Sequence, residues 1–165
     1  MIRRYDDGIR RDQIYRARPG AYAVLVRDSK ALLTWQGGPH REYQLPGGGI
    51  EAGEHPLPAL HREVYEETGW RMQVSHKLGV YRRFTYMPDY DVWAEKLCHI
   101  YLGRPTLRLG PPTEALHEAR WLSDRAALTQ LANAGDRAFL ARYLNQSAVH
   151  RPFPVPYHLW NQADR

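Results

Sequence analysis

Cysteine is nearly absent: the 165-residue chain holds one, Cys98. No disulfide can staple the fold within a chain, and no multi-thiolate metal site can form. Set between Leu97 and His99 in an apolar segment, Cys98 reads as a small buried hydrophobe. Lysine is scarce too, with only Lys30, Lys77 and Lys96 among 23 basic residues. The arginine fork suits bidentate phosphate recognition, although such a bias also follows from genomic base composition. Long apolar runs are missing. The longest, Ala21-Tyr22-Ala23-Val24-Leu25-Val26, falls far short of the ~20 residues that span a bilayer. No apolar stretch follows the basic start MIRRYDDGIRRDQIYRAR, so no secretory signal is read and a cytoplasmic protein without membrane partners is expected. Neither an internal repeat nor a low-complexity tract is present.

What remains is a globular composition, 43% hydrophobic and 25% charged, at a length that suits one domain. The net charge of +5 is uneven. Arg3, Arg4, Arg10, Arg11, Arg16 and Arg18 outweigh Asp6, Asp7 and Asp12, which marks residues 1–17 as a basic N-terminal arm before a domain over 18–146. The arm lacks an aromatic-interleaved basic stripe or a helix-turn-helix signal, so nucleic acid is not the expected partner. Residues 147–165 form a proline-rich tail whose Arg151-Pro152-Phe153-Pro154-Val155-Pro156 suits a polyproline-type segment packed on the domain or on a second subunit of a homodimer.

Between arm and tail, Ala21 to Arg27 and Ala31 to Trp35 read as a hairpin around Asp28-Ser29-Lys30. Tyr43 to Pro46 begins a third extended piece. Met72 to Val80, Arg82 to Tyr86, Trp93 to Leu102 and Ala119 to Leu122 read as further strands, with Pro88, Gly103-Arg104-Pro105 and Gly110-Pro111-Pro112 as breaks. Ser123 caps a helical segment through about Ala132. Asp136 starts another, with Phe139, Leu140, Tyr143 and Leu144 on one face.

The chemistry is concentrated in GGGIEAGEHPLPALHREVYEETGW, residues 47–70. Leu60, Val64 and Tyr65 fall at helical spacing, and Glu63, Glu66 and Glu67 share the other face, expected to be exposed. Pro56 and Pro58 suit a first turn and Gly69 a C-terminal stop, giving a helix from about 56–58 to 68. Pro58 also disfavours helical geometry at Leu57, which predicts a late start. Three carboxylates in one sector repel one another by a few tenths of a kcal/mol per pair. Arg62 can neutralise one, and hard divalent cations can neutralise the others, since Mg²⁺ prefers oxygen ligands shared with substrate phosphates. The three-carboxylate cluster itself lacks the Cys and His ligands that would select zinc tightly.

The stretch obeys G-x5-E-x7-R-E-U-x-E-E-x-G-U, U being bulky and apolar, through Gly48, Glu54, Arg62, Glu63, Val64, Glu66, Glu67, Gly69 and Trp70. Seven strict identities arise by chance about once in 10⁹ starting points. The sequence resembles the Nudix hydrolases, and His117-Glu118-Ala119-Arg120-Trp121-Leu122 looks like that family as well. The resemblance implies an α/β fold, an α/β/α sandwich around a mixed β-sheet. It further implies a Mg²⁺ cofactor, for which Mn²⁺ can substitute, held by Glu63 and Glu67 with a backbone carbonyl of Gly47 or Gly48. Glu66 would be a further ligand or share the water, Arg62 would orient an acid, and Glu54 would hold loop to helix and reach a metal through water. A base outside the box is implied as well, Glu114 fitting best and Glu118 as substitute.

By the same resemblance, a small-molecule nucleotide is the expected substrate, a nucleoside diphosphate linked to another group and split by water at its diphosphate bridge. Nucleoside triphosphates and dinucleoside polyphosphates lead. Tyr86, sixteenth after Trp70, resembles a tyrosine associated with dinucleoside polyphosphate hydrolases, whereas Thr85 stands where ADP-ribose hydrolases tend to carry proline. Trp35, Tyr81, Phe84, Tyr86 and Trp93 are available to stack on a base. Removal of pyrophosphate from an RNA 5′ end, and a silent ligand-binding module, are the alternatives.

Overall fold

A computed structural model of the protein describes residues 1–6, 8–38 and 41–150, the side chains at 89 and 148–150 excepted. The proline-rich segment 151–156 lies outside them. Among the described residues nine strands and three α-helices follow in order: β1 (Arg3–Arg4), β2 (Arg16–Ala17), β3 (Gly20–Arg27), β4 (Lys30–Gln36), β5 (Glu42–Gln44), β6 (Gly47–Gly49), α1 (Pro56–Thr68), β7 (Trp70–Met87), β8 (Val92–Arg108), β9 (His117–Ser123), α2 (Asp124–Gln130) and α3 (Ala134–His150). The third helix therefore runs past residue 146, where the domain was expected to end.

The expected hairpin forms between β3 and β4, with Arg27 opposite Lys30. Its loop is the pair Asp28 and Ser29, both left-handed at φ 52° and 59°, the conformation that matches strand twist in a two-residue turn. The two strands stay paired only from Leu25–Leu32 to the turn. Beyond that they fork: β3 pairs with β6, Ala21 opposite Gly48, and β4 pairs with β5, Thr34 opposite Gln44. Ala23 N–H donates to the Pro46 carbonyl at 2.9 Å and fastens the glycine strand into the fork. On its other edge β3 runs parallel to β8, and β4 runs antiparallel to β9. The sheet is mixed.

Alternation along β3 feeds two cores. Ala21, Ala23 and Leu25 pack with Leu60 and Val64 of α1, while Tyr22 and Val24 pack with Phe139 and Leu140 of α3. One helix on one face and two on the other give the α/β/α sandwich the resemblance implied. Each fully buried Leu or Val contributes about 1.5–3 kcal/mol. Tyr143 and Leu144 flank the second core, as the helical spacing predicted. Cys98 is buried there, and burial pushes its thiol up to about 11.

Two expectations fail. Gly103-Arg104-Pro105 breaks nothing: β7 and β8 pair antiparallel along their whole length, with Met72 opposite Pro105. A register shift between Arg71 and Met72 leaves Thr106 as an extra residue beside that proline, and a bulge is where a strand tolerates a residue without an N–H. The late helix start fails as well. Pro56 is the first residue of α1, and both prolines sit in the turn whose N–H groups have no helical partner.

The arm is woven into the sheet. β1 runs parallel to β7, Arg3 opposite Tyr81, and β2 runs parallel to β8, Arg16 opposite Ala94. Among the described residues no helix is long and apolar enough to cross a membrane.

Candidate active site at the glycine strand

Helix α1 begins without a side-chain cap and ends at Gly69, left-handed at φ 72°, whose N–H returns to the Tyr65 carbonyl. A Cβ at Gly69 would meet the Gly110 carbonyl at 2.1 Å, so this stop excludes any other residue. The helix therefore delivers its acids beside β6. Free carbonyls of a last turn need donors. The Glu66 carbonyl takes two, the N–H groups of Thr113 and Glu114 at 2.8 and 3.0 Å, which draws the β8–β9 loop onto the acidic face.

Arg62 is the hub of that face. It grips Glu54 with Nε and Nη2 at 3.1 and 2.9 Å, gives Nη1 to Glu63 at 2.8 Å and to Glu66 at 3.1 Å, and reaches the Gly49 carbonyl at 3.0 Å. The guanidinium neutralises part of the repulsion read from the sequence. It also holds the Glu54 carboxyl below its ordinary value. Both Glu54 oxygens are engaged, one also by the Glu51 N–H, so Glu54 straps loop to helix.

Only Glu66 keeps the expected exposure among the three acids, 38% of its side chain. Glu67 is 6% exposed. Its flank of α1 is wedged against β4 and β6, so that Oε2 accepts from Thr34 Oγ1 and Gly47 N–H, each at 3.0 Å. Burial pushes the Glu67 carboxyl up to about 8, those two hydrogen bonds pull it partly back, and Glu114 and Glu63 push it further. Glu63 is raised for the same first reason, against the pull of Arg62. Burial disfavours the charged form of both carboxyls, and a cation beside them would offset that cost.

The glycines make room for it. A Cβ at Gly48 would lie 2.4 Å from Glu63 Oε2, so the missing side chain is what admits the carboxylate to the strand. The Gly48 carbonyl faces the other way, toward β3, where a Cβ on Gly20 would meet it at 2.9 Å. Gly47 and Gly49 point polar groups at the helix, through the Glu67 and Arg62 contacts. Of the two carbonyls the resemblance offers as ligands, Gly47 and Gly48, that of Gly48 is turned to β3, and Gly48 supplies space at the carboxylate.

The NUDIX domain family model matches residues 16–143. The chain belongs to the NUDIX family. It is 36% identical over 64 residues to the putative 8-oxo-dGTP diphosphatase of Bacillus subtilis (strain 168), 39% of this chain and 43% of that protein. It is 32% identical over 120 residues to the CMP-5'-(N-acetyl-N-hydroxy-3-aminopropyl)phosphonate hydrolase of Streptomyces rubellomurinus (strain ATCC 31215), 66% of this chain and 54% of that protein. The matched stretches span 40% to 54% of the lengths of these curated relatives and of a Streptomyces ambofaciens MutT-like protein. A NUDIX hydrolase from Nitrosomonas europaea shares the fold at TM-score 0.66 and 22% identity, over 79% of this chain and 90% of that one.

Within this NUDIX domain the structure gathers Arg62, Glu63, Glu66, Glu67 and Glu114 on one side of β6. Glu118 lies elsewhere, exposed and paired with Arg120. Two residues that sequence reasoning did not single out join the site, Thr34 on Glu67 and His117. His117 Nε2 lies 3.6 Å from Glu67 Oε1, and its Nδ1 lies 3.8 Å from Glu114 Oε2. The His117 ring was legible only as part of the HEARWL segment; its approach to Glu67 needs β9 to pair with β4. Of the candidate stacking residues, Tyr81 is buried core at 1% exposure. Phe84 and Trp93 meet Tyr15 edge-on, and Trp35 packs on Tyr43 at 4.8 Å.

Proposed function

We propose that this protein is a Mg²⁺-dependent NUDIX pyrophosphohydrolase that splits the diphosphate bridge of a small nucleotide, a nucleoside triphosphate or a dinucleoside polyphosphate. One observation carries the reading: Glu63 fills the space of the absent Gly48 Cβ while Glu67 and Glu114 converge beside it, a carboxylate set built against a backbone strand. A hard divalent cation fits these residues, because the donors are predominantly oxygens and the buried carboxyls lack a full counter-charge. Glu63 and Glu67 would hold it, with the Gly47 carbonyl in the place expected for Gly48 and with Glu66 beside them. When bound, the cation supplies neutralisation of charge developing on phosphoryl oxygens.

The chain's own groups do the rest. Arg62 keeps Glu54, Glu63 and Glu66 in one geometry, so substrate meets a preorganised surface. Glu114, half-exposed on its loop and anchored by its N–H to Glu66, would take the proton from an attacking water. Of the cations in the arm and just after it, Arg4 pairs with Asp6, Arg10 lies over Trp93 and Arg18 over Tyr90. These are tied to the fold, which favours a free nucleotide over an RNA end.

The test is a nucleotide panel with Mg²⁺, both products identified, in ¹⁸O water. The expected outcome is label on a single phosphorus, a nucleoside monophosphate or its phosphorylated counterpart as product, and no turnover after thorough chelation. Orthophosphate released from mononucleotides as fast as any bridge is split would sink the reading. A steep salt dependence of binding, seen only with 5′-triphosphorylated RNA, would move it to RNA ends.

A further inference from the structure

We infer that His117 supplies a nitrogen ligand to the divalent cation on the carboxylate platform, making a mixed oxygen–nitrogen site that favours Mn²⁺ over Mg²⁺. This rests on the metal-dependent reading above. The ring is held in a dry position, its side chain 9% exposed at the start of β9. Its Nδ1 lies 3.0 Å from the Ala115 carbonyl oxygen. A carbonyl can only accept, so Nδ1 carries the hydrogen, and in the neutral ring Nε2 then offers a lone pair. Metal-binding imidazoles are oriented in this way, with the distal N–H on a backbone carbonyl or carboxylate.

That lone pair faces Glu67 Oε1 at 3.6 Å, beyond a hydrogen bond. The other oxygen of Glu67 is already occupied by Thr34 and Gly47, so Oε1 is the one free to ligate. Ligand atoms of Glu67, Glu114 and His117 all lie within 4.8 Å of one another. In a six-coordinate shell with bonds of about 2.1 Å, adjacent ligands stand about 3 Å apart and opposite ones about 4.2 Å. The 3.6 Å between His117 Nε2 and Glu67 Oε1 falls between those two values and suits two ligands of a common ion better than a hydrogen-bonded pair. Imidazole binds later first-row ions more readily than it binds Mg²⁺, so adding it to an oxygen set shifts preference along that series.

The experiment is electron spin-echo envelope modulation on the Mn²⁺-loaded, full-length wild-type protein, unlabelled and labelled with ¹⁵N-histidine. Directly coordinated ¹⁴N is expected in the first sample, replaced by ¹⁵N frequencies in the second. H117Q should abolish the coupling, weaken Mn²⁺ binding about tenfold and leave Mg²⁺ affinity within about twofold. Stoichiometrically bound Mn²⁺ without nitrogen coupling overturns the inference and leaves the metal-dependent reading standing. So does coupling that survives in H117Q, or equal weakening of both ions. A wild-type protein that binds neither ion overturns both. Should H117Q fail to fold, H117N is read in its place, and wild-type spectra without histidine nitrogen overturn the inference by themselves.

Discussion

Glu67 shows how far a single carboxylate can depart from its sequence reading. Spacing places it on an acidic helix face, and only the sheet fork reveals that this flank is buried against Thr34 and Gly47. Free in an unfolded chain, it ionises near 4.5; in the fold it keeps its proton to about 8. Its contribution to stability is therefore present in full below about 4.5 and is lost as pH rises through 8. Glu63 and Asp136, also raised by burial, act in the same direction, and His99, lowered by burial, opposes them. In EDTA the protein should melt at a higher temperature at pH 5.5 than at pH 8, as differential scanning calorimetry would read, and E67Q should flatten that slope. A melting temperature that climbs from pH 5.5 to 8 in wild type would contradict the burial argument. The same variant keeps an oxygen for Thr34 and Gly47, so it should fold, yet lose at least ~10²-fold in kcat if Glu67 is a ligand. A folded E67Q at full activity would remove Glu67 from the chemistry.

At the scale of elements, α1 was legible because its signals are local: prolines in a first turn, apolar residues at helical spacing, a glycine at the stop. The long β7–β8 hairpin was not, since a Gly-Arg-Pro run looks like a break unless a bulge partner across the ladder is known. Strand β6 is the extreme case. Three glycines carry no periodicity, and their meaning comes from what fills the space above them. A Cβ at Gly48 would meet the Glu63 carboxylate at 2.4 Å, while one at Gly49 would meet nothing within 4 Å. G48A should therefore displace Glu63 and lower kcat at least about tenfold, whereas G49A should stay within about twofold and gain about 0.4–1 kcal/mol from the stiffer unfolded chain. Steady-state kinetics and urea melts on the two variants check this. Equal activity in both would mean that Glu63 does not work from its position over the strand.

Across the whole molecule, the charge of the first residues suggested an appended arm, because strands of two residues leave no readable period. The fold treats the arm as part of the domain. Tyr5 stands edge-on to buried Tyr81 at 5.6 Å, and its N–H donates to the Arg82 carbonyl at 3.0 Å. Asp6 is 3% exposed in its side chain and accepts from Phe84 N–H at 3.1 Å. Tyr15 meets Phe84 and Trp93, and the Arg10 guanidinium lies over the Trp93 ring. Full burial of a large apolar side chain contributes about 1.5–3 kcal/mol; the half-buried rings of Tyr5 and Tyr15 contribute a part of that, plus about 0.5–1.5 kcal/mol for each edge contact. Part of that is regained when the remaining chain relaxes. A chain shortened to begin at residue 16, where the family match starts, should be destabilised by at least about 2 kcal/mol and melt at least about 4 °C lower. None of these arm contacts involves the acids of α1, so kcat on the best nucleotide of the panel should stay within about threefold at a temperature where both forms are folded. An unchanged melting temperature would return residues 1–15 to the role of an appended arm. A loss of kcat without a loss of stability would instead place the arm's arginines at the substrate.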